Sequence, residues 1–352
     1  MHGVSKYQRK WEKRWHPLRQ EWIVYAAHRN ARPWSGASVT NQKQAPVYDE
    51  KCYLCPGNSR VSGASNPPYQ DVYVFDNDHP VVGMHAPDIP EGQAVAHHGL
   101  YRHAPAKGIA RVVCYDPRHN VTLSEMPLHR VAKVFEAWRG QMQEFLSNDD
   151  ITFVLIFENK GEAVGVSNPH PHCQIYAIDF TFTLVEKELQ AAKAYREEKK
   201  QNLFEAIIQA EMADRIRIIA ENEHAIAFIP FFARYAYEVL IFPKKRHATL
   251  ATMESDELGG MAAVFQEVTR RYDLHFKMSF PYVMAFHQAP VDGKDYPDYH
   301  LHMLIQPPLR QPGLLKFLAG PEIGGGNFMA DTMPEEKAAE LRAVDISSFS
   351  EH

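Results

Sequence analysis

The stretch SNPHPHCQIYA, residues 167–177, alternates polar and apolar side chains in the way that is typical of a strand with one polar face. Because successive side chains of a strand point to opposite faces, His170, His172 and Gln174 share one face and Cys173 lies on the other. Three polar groups on one face are costly to bury unless they are hydrogen-bonded or functional. Two hydrogen-bonded structural histidines are one interpretation. The polar, glycine-containing loop ENKGEAVGVSN that leads into the strand favours a catalytic or metal-binding role.

A second histidine strand, HLHMLIQPP (300–308), lies about 130 positions further along the chain. The first series of segments is VVCYDPRHNVTL, a helical pattern, ITFVLIFEN and HPHCQIYA; the second is EVLIFPKKRHATL, a helical pattern, PYVMAFHQ and HLHMLIQPP. Phe135 corresponds to Phe265, and His172 corresponds to His302. The ordered series predicts a tandem duplication and a pseudo-symmetric sheet with two histidine strands.

Short apolar, β-branched runs bounded by Gly, Pro, Asn or Asp predict strands in both halves of the chain. Apolar residues at three- and four-residue spacing predict helices around residues 128–145 and 258–272. A long polar helix is expected over residues 185–210, and a final helix follows residue 332.

Length and composition restrict the class of protein. A chain of 352 residues, 45% of them hydrophobic, can form one large or two ordinary domains. The net charge of −5 argues against non-specific nucleic-acid binding, and no apolar run approaches the roughly 18 residues of a membrane span. The N-terminus lacks the apolar core of a secretory signal, and four cysteines do not make a disulfide framework. We therefore expect a cytoplasmic protein with no nucleic-acid or membrane partner.

Cys52 and Cys55, in KCYLCPGN, have the spacing that lets two thiolates bind one metal ion from a tight turn. Two incidental buried cysteines are the alternative. A closed tetrahedral zinc site needs two more ligands, and His119 and His170 are the best candidates. The remaining two cysteines lie inside strand patterns, so we expect them to be small core residues.

The histidine strand also suits group transfer. Imidazole has an unperturbed pKa of about 6.5, so it is largely neutral at pH 7 and can attack phosphorus. The bond that it forms breaks readily once the ring is protonated, which makes the adduct a transferable intermediate. Gln174 can donate hydrogen bonds to a phosphoryl oxygen without bringing a titrating proton.

Eight segments, spread over nearly the whole chain, together resemble the galactose-1-phosphate uridylyltransferase family of the histidine-triad superfamily. They are ARPWSG, CYLCPGNSR, YVFDND, FENKG, SNPHPHCQIYA, MAFHQAP, LHMLIQPP and KFLAG. The resemblance implies an α+β fold of two tandem duplicated histidine-triad-like halves, residues 1–184 and 185–352. In this fold a mostly antiparallel sheet forms a half-barrel flanked by helices.

The resemblance implies that His172 is the nucleophile, because it matches the second histidine of the family's HPHGQ motif. His170 matches a ligand of a structural zinc, and Cys52, Cys55 and His119 complete that site. Further matches fall near the phosphates, around uracil and ribose, and around the hexose, where a dimer partner supplies the residues. The phosphate set is Gln174, Arg29, Arg32, Asn159, Gly165 and Ser167; the nucleoside set is Phe75, Asn77 and Asp78; the hexose set is Lys316, Phe317 and Glu322.

A second metal site, for iron or a second zinc, is implied by Glu188, His287 and His302. The family's fourth ligand is replaced here by Leu304, and His300 on the same strand face is the residue that can substitute for it.

Two further departures concern packing and the sugar. Cys173 replaces the glycine of HPHGQ, on the face that points away from the nucleophile. Pro321 replaces an aromatic residue of the hexose segment, and the run Gly324–Gly326 follows it. Sugar selectivity is therefore the weakest implication of the resemblance.

The implied reaction is the ping-pong transfer of UMP from UDP-glucose to galactose 1-phosphate through uridylyl-His172, in galactose metabolism, by a homodimer. One alternative is a histidine-triad hydrolase or phosphorylase of nucleotide sugars, although the hydrolases of the superfamily have a third histidine where Gln174 stands. The other alternative is a non-catalytic, zinc-stabilised binding protein.

Overall fold

A nine-stranded antiparallel sheet lies at the centre of the computed structural model, which describes residues 11–27, 29, 45–90, 95–166 and 168–349. The strands are β1 (Trp11–His16), β2 (Glu21–Ala26), β3 (Tyr73–Asp76), β4 (Val95–Ala96), β5 (Tyr101–Arg102), β6 (Gly108–Cys114), β7 (Phe153–Lys160), β8 (His172–Ile178), β9 (Ile218–Glu221), β10 (Ala225–Phe228), β11 (Val239–Pro243), β12 (Tyr282–His287), β13 (His302–Gln306), β14 (Leu309–Gln311), β15 (Leu314–Leu315) and β16 (Met329–Ala330). The helices are α1 (Leu128–Phe145), α2 (Thr183–Lys199), α3 (Leu203–Asp214), α4 (Ser255–Phe276) and α5 (Pro334–Arg342).

The strands of the large sheet are ordered β3-β6-β8-β7-β12-β13-β11-β10-β9. From the β3 edge to the centre the order is β3, β6, β8 and β7. From the centre outwards the next four strands, β12, β13, β11 and β10, repeat this order in reverse. Thus β3 corresponds to β10, β6 to β11, β8 to β13 and β7 to β12, and α1 and α4 follow equivalent strands. This pseudo-twofold order confirms the predicted α+β fold with duplicated halves. The sheet remains open, with β3 and β9 at its edges.

The two halves share this sheet, because β7 and β12 pair along four residues from Phe157 to Lys160. In addition, α2 begins at Thr183 and crosses the expected boundary between residues 184 and 185. The division into 1–184 and 185–352 therefore remains a prediction.

Helices α1 and α4 pack side by side against one face of the sheet. Phe135 of α1 and Phe265 of α4 are buried, and their ring centroids are 5.9 Å apart. Both rings belong to one apolar cluster that includes side chains of β7, β8, β11, β12 and β13. A single hydrophobic core thus spans both halves.

The opposite face of the sheet is covered differently in the two halves. In β11, Val239 belongs to the shared core, whereas Leu240 belongs to a second apolar cluster built with α2 and α3. Leu18, from the turn between β1 and β2, completes that cluster. The equivalent face of the first half carries His172 and Gln174 of β8. The N-terminal turn and two helices therefore cover one histidine strand and leave the other accessible.

The expectation of one helix over residues 185–210 is wrong. Helix α2 ends at Lys199 and α3 begins at Leu203. Between them Lys200 has a left-handed φ of +59°, and the Asn202 side chain accepts hydrogen bonds from two backbone N–H groups of α3. None of the described helices is long and apolar enough to span a membrane.

We predict that Phe135→Ala and Phe265→Ala each lower the free energy of unfolding by about 3–5 kcal/mol, because each leaves a cavity in the shared core. The double variant should lose less than the sum, since the two rings are in contact. Urea unfolding followed by circular dichroism measures these losses. Leu128→Ala, at an exposed position of α1, is the control and should cost far less. Strictly additive losses would show that the two rings are not energetically coupled.

Candidate functional site

Four buried side chains converge beside β8. Cys52 and Cys55 lie in a turn before β3, His119 follows β6, and His170 lies two residues before the start of β8; their ligand atoms all lie within 4.8 Å of one another. Cys55 Sγ is 3.6 Å from Nδ1 of His119 and 3.6 Å from Nδ1 of His170. Sulfur and nitrogen ligands of a tetrahedral zinc are also about 3.6 Å apart, given the usual zinc–ligand distances. The cluster therefore fits a two-cysteine, two-histidine metal site.

Tyr69 sets the tautomer of His170. Its hydroxyl lies 2.7 Å from the carbonyl oxygen of Leu54 and 2.9 Å from His170 Nε2. The hydroxyl has one proton, which it donates to the carbonyl, so the ring N–H at Nε2 donates to the phenol oxygen. The lone pair of His170 is then on Nδ1, the atom that faces Cys55. Tyr69 is thus placed as the kind of outer partner that orients a metal-ligating histidine.

Burial favours the uncharged form of both ligand types in this cluster. It raises the pKa of the Cys55 thiol to about 11. Burial also lowers the pKa of His170 to about 3, with help from the neighbouring His119 and His172. A bound cation reverses the preference of the thiol, because thiolates are the form that binds metal. The donor set consequently has the chemistry of a metal site.

His172 is oriented so that its Nε2 atom keeps a free lone pair. Its Nδ1 is 2.6 Å from the carbonyl oxygen of His170. A carbonyl oxygen only accepts, so Nδ1 carries the proton and Nε2 keeps its lone pair. Burial lowers the pKa of His172, so the ring is neutral at pH 7. These are the properties of a nitrogen nucleophile.

An open cleft of about 200 Å³ lies in front of His172. Its described lining contains amides, aromatic rings and backbone, but no lysine, arginine or carboxylate. The lining residues are Tyr53, Phe157, Asn159, Gly165, Val166, Asn168, His172, Cys173 and Gln174. Gly165 has a φ of +87°, a conformation that favours glycine, and so lets the loop backbone turn at the cleft.

The amide of Gln174 is oriented by its neighbours. The backbone N–H of His79 donates to Asn77 Oδ1 at 2.9 Å, so the other end of the Asn77 amide is a donor. That donor and the Tyr176 hydroxyl both approach Gln174 Oε1, at 3.2 and 3.4 Å. The NH₂ group of Gln174 is consequently left to donate to a ligand.

The nucleoside set lies on the same face of the sheet as Gln174. Phe75 pairs with Val112 of β6, and Val112 pairs with Gln174 of β8. Paired residues of adjacent strands share a face, so Phe75 and Gln174 lie about 10 Å apart in one row. Asp78 follows β3 and accepts a hydrogen bond from the backbone N–H of Ser62.

Of the other predicted residues, those that the structure describes do not line the cleft. Arg29 is exposed and forms a 3.6 Å ion pair with Asp331, and neither Arg32 nor Ser167 is among the described residues. In the hexose set, Lys316 pairs with Glu322 at 2.7 Å and Phe317 is half exposed. None of the hexose set lines the cleft within one copy of the chain.

Glu188 of α2, His287 of β12 and His302 of β13 form a second buried cluster. Glu188 Oε1 lies 2.8 Å from His287 Nδ1 and 3.8 Å from His302 Nε2. Two histidines and one carboxylate fit a metal ion with open coordination positions. Leu304 lies beside the cluster, in the lining of a small cavity that it shares with Glu188 and His302. The structure does not place His300 in this cluster, because its ring packs on Phe242 and its Nδ1 faces the carbonyl oxygen of His247.

Comparison with known families identifies the chain. The family model described as "Galactose-1-phosphate uridyl transferase, N-terminal domain" matches residues 4–181. The model of the C-terminal domain of the same family matches residues 188–351. The chain belongs to the galactose-1-phosphate uridylyltransferase family.

Individual relatives agree with this family. The galactose-1-phosphate uridylyltransferase of Haemophilus influenzae is 36% identical over 341 residues, with 96% of each chain covered. The enzyme of Saccharomyces cerevisiae is 33% identical over 345 residues, covering 95% of this chain and 94% of its own. A solved uridylyltransferase structure is 30% identical with a TM-score of 0.76, covering 94% of this chain and 97% of that one. An ADP-glucose phosphorylase from Arabidopsis thaliana, 21% identical with a TM-score of 0.77, covers 96% and 100% and shares the fold.

Sequence reasoning within this family pattern missed several side chains of the site. Tyr69 could not be predicted as a site residue, because neither a motif nor a periodic pattern marks it. Asn168, in the quoted stretch, accepts from the His170 N–H at 3.0 Å and lies 3.4 Å from Cys52 Sγ. Tyr53 stands between the two motif cysteines and lines the cleft. The expectation for Cys173 is confirmed, since Trp138 donates to its sulfur from the core side at 3.2 Å.

We predict that Tyr69→Phe weakens metal binding by about 10- to 100-fold, because it removes the hydroxyl that orients His170. Competition for zinc between the folded protein and a chromophoric chelator measures the affinity. Tyr101→Phe, at an exposed tyrosine, is the control and should leave affinity unchanged. An affinity unaltered by Tyr69→Phe would mean that the hydroxyl does not set the tautomer.

We also predict that Leu304→His increases the fraction of chains that hold a metal ion at this second cluster, because it adds an imidazole beside Glu188 and His302. Mass spectrometry of metals in the purified protein measures the content. Leu304→Met, which conserves volume without adding such a ligand, is the control. Adding Glu188→Gln to Leu304→His should remove the gain, and a gain that survives would place the extra metal elsewhere.

Proposed function

We propose that this chain is a galactose-1-phosphate uridylyltransferase that moves UMP from UDP-glucose to galactose 1-phosphate in galactose metabolism. The observation that carries the proposal is the state of His172 in a chain of this family. Its Nδ1–H is committed to the His170 carbonyl, so Nε2 presents a lone pair beside the Gln174 amide.

The reaction has two balanced steps. Nε2 of His172 attacks the α-phosphorus of UDP-glucose, a nitrogen–phosphorus bond forms, and the bond to the bridging oxygen breaks to release glucose 1-phosphate. A phosphate oxygen of galactose 1-phosphate then attacks the same phosphorus, and the nitrogen–phosphorus bond breaks to give UDP-galactose. Each step inverts phosphorus, so the net result is retention.

Catalysis of this transfer depends mainly on positioning and on stabilising charge on the phosphoryl oxygens. The NH₂ group of Gln174 is free to donate to such an oxygen, and Asn159 and Asn168 add amides to the same cleft. The described lining has no cation, so we assign the charge of the phosphates to Arg29, Arg32 and the residues of a second copy.

We assign zinc to Cys52, Cys55, His119 and His170. The ion would fix the backbone just before β8, and so the position of His172, rather than take part in the transfer. Iron or a second zinc is assigned to Glu188, His287 and His302.

We further propose a homodimer and a cytoplasmic location. Lys316, Phe317 and Glu322 lie outside the cleft of their own chain, so a partner is needed to bring a hexose segment to it. Four free cysteines, all buried, suit a reducing compartment.

Mixing the protein with UDP-glucose alone should add the mass of one uridylyl group, measured on the intact protein after an alkaline quench. Galactose 1-phosphate should discharge the adduct, because it supplies the second nucleophile. His172→Ala should form none, whereas His129→Ala, at an exposed histidine of α1, should behave as the native chain. Discharge only by water or phosphate would indicate a hydrolase or phosphorylase. No adduct with any of several nucleotide sugars would indicate a non-catalytic binding protein.

A further inference from the structure

Arg60 is a largely buried cation next to the nucleoside set. Its side chain is 15% exposed, and its guanidinium carbon lies 4.4 Å from the centre of the Phe75 ring. Its Nη1 is 3.8 Å from Asp78 Oδ1, too far for a hydrogen bond. The buried Nε and Nη1 atoms have no hydrogen-bond partner within the described part of the chain. Such unsatisfied donors are costly, which suggests a role beyond packing.

The groups that Arg60 touches are suited to a nucleoside. A flat aromatic ring such as Phe75 offers a stacking surface to a base, and a carboxylate such as Asp78 accepts strongly from hydroxyl groups. Asp78 Oδ2 already accepts from the Ser62 N–H at 3.3 Å, so Oδ1, on the side of Arg60, is the oxygen left for a ligand. Asn77, which lies between Phe75 and Asp78 in the sequence, donates a hydrogen bond to Gln174, the residue proposed to contact a phosphoryl oxygen.

We propose that Arg60 is a positioning residue that sets the preference of this site for ribonucleotides. It acts through Asp78, whose carboxylate its charge attracts across the 3.8 Å ion pair and so biases towards the orientation that accepts from the ribose hydroxyls, while its stack on Phe75 fixes the guanidinium itself. The inference rests on the proposed function only in taking a uridine nucleotide as ligand.

A fixed acceptor binds a hydroxyl more tightly than a mobile one, because less side-chain freedom is lost on binding. Without Arg60, the Asp78 carboxylate keeps only the contact with Ser62 and can rotate away from the ligand. A lysine keeps the charge but loses the planar fork and its stacking on Phe75, so it should replace Arg60 only in part.

The test is calorimetric binding of UMP and of 2′-deoxy-UMP to the full chain, which requires no turnover. The native protein should prefer UMP by about 10- to 100-fold, as expected for a hydrogen bond to a charged group. Arg60→Met should abolish most of this preference by weakening UMP alone, and Arg60→Lys should give an intermediate ratio. Asp78→Asn should have the same effect, and the double variant should add little. Arg196→Met, at an exposed arginine, is the control.

Equal weakening of both nucleotides by Arg60→Met would show a merely structural role and overturn the proposal. An absence of ribose preference in the native protein would also overturn it. Binding is measured separately from adduct formation, so the two proposals fail independently. A ribose preference that depends on Arg60 supports this inference even if no uridylyl adduct forms.

Discussion

The hydrogen bond from His172 Nδ1 to the carbonyl oxygen of His170 determines what the cleft can do. It lies within three consecutive residues, so the backbone that presents His170 to the cysteine cluster also sets the tautomer of His172. His170, just before β8, and His172, the first residue of β8, are thereby linked by one backbone contact. Tyr69 in turn orients His170, because its hydrogen bond with Nε2 of that ring leaves Nδ1 facing Cys55. These contacts form a continuous series from the cluster of Cys52, Cys55, His119 and His170 to His172.

The second half repeats the backbone arrangement but not its chemistry. His302 Nδ1 lies 3.1 Å from the carbonyl oxygen of His300, which is the counterpart of the bond in the first half. Its Nε2, however, faces Glu188, and Leu18 and Leu304 line the cavity beside it. The same strand geometry therefore supports an accessible nitrogen in one half and a buried cluster in the other. The difference comes from what covers the strand face. The cluster built with α2, α3 and the N-terminal turn includes Leu304 of β13, whereas it reaches β8 only at Tyr176 and Ile178, beyond His172 and Gln174.

The parts of this structure that the sequence predicts are those with a local or repeated signal. Alternation in residues 167–177 predicts the shared face of His172 and Gln174 in β8, although His170 lies just before that strand. The repeated order of segments predicts the paired halves of the sheet. The break at Lys200 was missed, because this lysine adopts the left-handed conformation without the glycine that usually marks the end of a helix. Tyr69 and Arg60 could not be identified from pattern alone, because their roles depend on contacts across strand and turn that no spacing encodes.

The uncharged lining of the cleft has a physical reason. A permanent cation in a partly buried cleft would lose hydration in the absence of substrate, whereas amides lose much less. Gln174, Asn159 and Asn168 can therefore line the cleft without that penalty. The opposite charge for a diphosphate must then arrive from outside the described lining. A site built in this way neutralises the charge of a phosphate ligand only when groups outside the described lining supply the opposite charge.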